Sequence, residues 1–83
     1  MQTSKVESAL TNRERDVLYL IAQEYTTPEI ARRLYLSTNT VVSHRRNLLK
    51  KLRARNMAGM IYKAFETGDL NSKFELKELE TPV

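Results

Sequence analysis

The stretch "TTPEIARRLYLS", Thr26 to Ser37, constrains the fold more than any other part of the chain. It holds two helix-start signals. At the first, Thr26 and Glu29 have capping-box spacing, while Thr27 followed by Pro28 fits a cap with proline at the first helical position. At the second, Ser37 precedes a new run of helical periodicity. The helix between them stops near Tyr35, leaving only Tyr35 and Leu36 before the next cap. Two helices joined by a turn of about three residues form the helix-turn-helix pattern, with the longer second helix as its candidate reader.

The rest of the chain is helical as well. Only two glycines and two prolines occur among 83 residues, and the apolar spacing is helical throughout. A first helix is expected from Asn12 to Glu24, capped by Thr11 or Asn12, with Glu14 and Asp16 at its positive end. Its inner stripe is Val17, Leu18, Ile21 and Ala22. In the second helix Ile30, Ala31 and Leu34 face inward, and Arg32 and Arg33 outward. A third helix covers Thr38 to Leu52. A fourth starts at the cap Asn56 and ends at Gly68, a plausible left-handed terminator. The fold class is therefore all-α: a compact four-helix domain over residues 10–70. Residues 1–9 are expected to form a flexible segment. Residues 71–83 form a polar, weakly structured tail, in which Phe74, Leu76 and Leu79 could make one amphipathic turn before Pro82.

Charge narrows the function. Residues 10–68 carry 11 bases against 5 acids. No acid lies between Glu29 and Glu66, while Arg32, Arg33, Arg45, Arg46, Lys50, Lys51, Arg53, Arg55 and Lys63 all do. A one-signed middle of this kind suits a polyanion, although a solvated basic face is the plain alternative. On a helical wheel Leu48 and Leu52 fall within about 20° of Val41, a buried seam. Asn39, Ser43, Arg46 and Lys50 cluster opposite, between about 140° and 200°. Val42 and Asn47 flank them. Donors outside and aliphatics inside are what a major-groove helix needs, and a carboxylate there would repel phosphates.

Other chemistries find no support. There is no cysteine and a single histidine, and no P-loop, dinucleotide glycine pattern or metal spacing occurs. His44 sits at the edge of the seam, where a packed, hydrogen-bonded histidine is expected. Arg45 points partly inward, its stem against the core and its head toward a phosphate. No enzyme activity, cofactor, metal or small-molecule ligand is expected. The longest apolar runs are far too short to span a membrane, and the first residues lack a signal-peptide core. A soluble cytoplasmic protein is the default.

The residues "LTNRERDVLYLIA" (Leu10 to Ala22), "EIARRLYLSTNTVVSHRRNLLKKL" (Glu29 to Leu52) and "NMAGMIYKAFETGDL" (Asn56 to Leu70) resemble the LuxR-type helix-turn-helix family, also called the GerE or FixJ effector domain. The resemblance implies a four-helix effector domain of a bacterial transcription regulator. It implies double-stranded DNA as partner, with a homodimer paired through the fourth helix, and RNA polymerase as a further candidate partner. Base contacts carry over to Val42, Ser43 and Arg46. Phosphate contacts fall to Thr38, Asn39, Thr40, Arg45, Asn47 and Lys50, and the dimer interface to Met57, Met60, Ile61 and Ala64. Val42 stands where the family often has lysine or another polar residue. Glu24 and Arg53 stand where glycines are common, and Met57 where arginine is. Two other readings share the pattern: region 4 of a sigma factor, and a helix-turn-helix repurposed for protein interaction.

Overall fold

The computed structural model describes residues 9–71. The expectations for the N-terminal segment and for the tail, with its Phe74, Leu76 and Leu79, lie almost wholly outside those residues. Four α-helices follow in order: α1 (Asn12–Ala22), α2 (Thr27–Leu34), α3 (Thr38–Lys51) and α4 (Met57–Thr67). Each starts on a side chain that accepts from an amide three residues on, satisfying a donor that has no intrahelical partner. Thr11 accepts from the Glu14 amide at 3.1 Å, and Glu14 Oε1 accepts in return from the Thr11 amide at 3.0 Å. Thr26 and Glu29 repeat this capping box, so Thr26, not Thr27, caps α2. Ser37 accepts from the Thr40 amide at 3.0 Å, and Asn56 from the Gly59 amide at 2.9 Å.

The helix ends follow a different logic. Glu24, Tyr35 and Arg53 all have positive φ, at 70°, 58° and 55°. The residue after each, Tyr25, Leu36 and Ala54, donates its amide to a carbonyl five residues back, on Leu20, Ala31 and Leu49. This is the Schellman closure, and it turns the chain sharply at the expense of left-handed strain. The helical coil of α1 therefore ends at Ala22, two residues before the expected Glu24. Only α4 uses glycine for its left-handed residue, Gly68 at φ 87°.

Helix α3 is the central element and packs against α1, α2 and α4. Val41, Leu48 and Leu52 form its buried seam as the wheel requires. They meet Val17, Leu18 and Leu20 of α1, Ile30 and Ala31 of α2, and Met60 and Ala64 of α4 within one core. Leu10 and Leu70 close that core at the two ends of the described chain. Two expectations shift: Ile21 and Ala22 are only half-buried, and Leu20 takes the inner place instead. Leu34 is also half-buried. A seam on one side of α3 leaves its other side to solvent, with the whole bundle bracing it from behind.

Candidate nucleic-acid interface

Along the open side of α3, Thr38, Asn39, Val42, Ser43, Arg46, Asn47 and Lys50 are exposed. Spacings of three and four residues stack these side chains on one face. Thr40 and Arg45 are half-buried at its margins. The Thr40 hydroxyl accepts from Ser37 Oγ at 2.9 Å, so it is tied to the cap. The first turn of α3 contains no acid to counter the positive end of the helix. Val42, 40% exposed, is the one large apolar side chain of this face.

Not all of the basic stretch reaches that face. Lys51 turns the other way, toward α1, where its Nζ donates to Glu14 Oε1 at 2.8 Å and to the Ala9 carbonyl at 3.1 Å. Glu14 is 4% exposed. Burial pushes its carboxyl up. Hydrogen bonds from Lys51 and the Thr11 amide, with the positive charge of Lys51, more than offset that and hold it below its ordinary value. The capping box of α1 is thus anchored to the far end of α3. Lys63 likewise bends back to donate to the Arg53 carbonyl. Arg33 lies over the Tyr25 ring, 4.7 Å from its centroid, a cation–π contact at the α1–α2 corner. Arg13 pairs with Asp16 on the exposed surface of α1.

His44 is half-buried at the seam edge, as its wheel position requires. It is packed as expected, but the expected hydrogen bond is missing at its shielded Nδ1, which has no partner among the described residues. The fourth helix needs a larger correction. Met60 and Ala64 are 0% exposed, consumed by the protomer's own core, so they present nothing to a partner. Met57 and Ile61 are half-buried, and the large apolar side chains that α4 exposes are Tyr62 and Phe65. Tyr35, which the sequence places in the helix-turn-helix turn, is 94% exposed, a degree of exposure that its spacing does not show.

A three-residue turn, a braced reader helix and a donor-rich outer face match one known family. The family model described as "Bacterial regulatory proteins, luxR family" covers residues 8–64. The chain belongs to that family. Among luxR-family relatives, it is 38% identical over 61 residues to the spore germination protein GerE of Bacillus subtilis (strain 168), spanning 74% of this chain and 82% of GerE. It is 44% identical over 62 residues to the uncharacterized response regulatory protein YgeK of Escherichia coli (strain K12), spanning 75% of this chain but 42% of YgeK. The solved structure of the transcription factor GerE superimposes with a TM-score of 0.74 at 32% identity, covering 78% of this chain and 97% of that one. The chain is thus a luxR-family helix-turn-helix domain of the kind found in transcription regulators. Among the described residues no helix is long and apolar enough to cross a membrane.

Proposed function

We propose that this luxR-family domain, residues 10–70, binds double-stranded DNA by sequence as the effector domain of a transcription regulator acting in the bacterial cytoplasm. Helix α3 lies in the major groove. Val42, Ser43 and Arg46 face base edges, and Thr38, Asn39, Thr40, Arg45, Asn47 and Lys50 hold the phosphates on either side. Two copies pair through α4, using Met57, Ile61, Tyr62 and Phe65, and RNA polymerase is a further partner at promoters. The observation that carries this reading is the exposed, acid-free face of α3, with donors at helical spacing and a core behind it.

Phosphate contacts release counterions. If about five phosphates are neutralised, a plot of log K against log salt slopes near about −4 to −5. Fluorescence anisotropy on a DNA duplex over a salt series measures this. A flat response removes the DNA reading and leaves a protein-interaction module.

A further inference from the structure

Val42 is an apolar group in the middle of a polar face. Its neighbours one turn away, Asn39 and Arg46, offer hydrogen bonds, and so does the adjacent Ser43. All four are exposed. A half-exposed valine gains nothing from a phosphate. In the major groove the one apolar feature of a base edge is the C5-methyl group of thymine, whereas cytosine presents an N4 donor that a valine would leave unpaired. The valine is therefore matched to one base of the four.

We propose that Val42 is a specificity-determining residue that selects thymine through its 5-methyl group, next to the base pair read by Arg46. The inference rests on the DNA-binding reading above. Val42 and Arg46 are four residues apart, a rise of about 6 Å along the helix. Their targets therefore lie within about two base pairs of one another, given about 3.4 Å per base pair. A lysine or other polar residue at this position would contribute a charge or a hydrogen bond and would not distinguish thymine by its methyl. Valine exchanges that contact for a preference that depends on a single carbon.

The test uses the full chain and the duplex that it selects from a random library. Each thymine of one half-site is replaced in turn by uracil, which pairs identically and lacks only the methyl. At one thymine the parent protein is expected to bind the uracil duplex about three- to fivefold more weakly, the worth of one buried methyl group. Val42→Ala is expected to bind the thymine and uracil duplexes equally, and Val42→Thr, which keeps one methyl, to retain part of the preference. Both side chains sit at an exposed position, so folding is not at stake, and the parent's own response needs no variant. Equal binding of thymine and uracil at every position by the parent overturns the inference while leaving DNA binding intact. So does an unchanged preference in Val42→Ala. Failure to select any duplex removes the DNA-binding reading, and this one with it.

Discussion

At the scale of single residues, the proposed function divides the face of α3 between information and grip. Arg46 lies one turn from Val42, on the same exposed face. Its planar fork can hold guanine O6 and N7 together. Lys50 lies a further turn toward the C-terminus, where a point charge suits a phosphate. Arg46→Ala is expected to cost about 1–3 kcal/mol on the selected site and to relax the choice at one base pair. Lys50→Ala is expected to weaken all sequences by a similar factor. Selection from a random library with each variant decides between them. If Arg46→Ala keeps the parental motif at every position, Arg46 is a backbone clamp. Glu14 has a different role and a pH signature. Its carboxyl titrates below the ordinary glutamate value in the folded chain. Its contribution is thus fully present above about pH 4.3, the unfolded value, and is lost as pH falls through the lower folded value. Glu14→Gln keeps an acceptor for the Thr11 amide but loses the charge that holds Lys51. It is expected to be less stable by about 1–2 kcal/mol at pH 6, with the difference shrinking toward pH 3. Urea titrations at the two pH values read this directly, and a constant difference would show that the Lys51 pair does not couple to folding.

At the scale of elements, helix starts were legible in the sequence, as were the ends at Tyr35 and Gly68, but the left-handed closures on residues other than glycine were not. Thr11, Thr26, Ser37 and Asn56 all cap through partners three residues away, a distance that sequence displays. Three of the four ends instead place Glu24, Tyr35 and Arg53 in the left-handed region, which no propensity of those residues announces. The positions of Glu24 and Arg53 were visible only through the family pattern, as sites where glycine is usual. The strain has a measurable consequence. A left-handed non-glycine residue costs roughly 1–2 kcal/mol, and glycine's extra freedom in the unfolded chain takes back roughly 0.5–1 kcal/mol. Glu24→Gly and Arg53→Gly are each expected to raise unfolding stability by about 0.5–1 kcal/mol, seen as a higher urea midpoint at unchanged slope. A lower midpoint for both would mean that their side chains contribute more than the backbone strain removes. The tie from Lys51 to Glu14 was also illegible: 37 residues separate them, and local spacing carries no trace of such a contact.

At the scale of the whole molecule, the proposed function assigns pairing on DNA to the side of α4 that the core leaves open. The outer side of α4 carries Tyr62, 64% exposed, and Phe65, beside the half-buried Met57 and Ile61. Apolar residues spread around most of that helix, so a wheel could not separate the side facing the protomer's core from the side left over. That is why the resemblance points Met60 and Ala64 toward a partner, whereas both lie in the protomer's own core. The distinction yields a clean experiment. Met60→Glu buries an unpaired charge in the core and is expected to unfold the chain, so it tests the fold alone. Tyr62→Glu places the charge at a solvated position. It is expected to leave helix content and the urea midpoint close to parental, within about 0.5 kcal/mol. Pairing is where it acts: each copy would bring a carboxylate into the apolar contact, so the penalty counts twice, because a two-fold interface presents the same patch from both sides. The variant is expected to bind a single half-site as the parent does and to lose cooperative binding to a paired site. Light scattering and gel shifts on the two duplexes measure both properties. If folded Tyr62→Glu still binds paired sites with parental cooperativity, α4 is not the dimer surface, and pairing must be sought elsewhere on the domain.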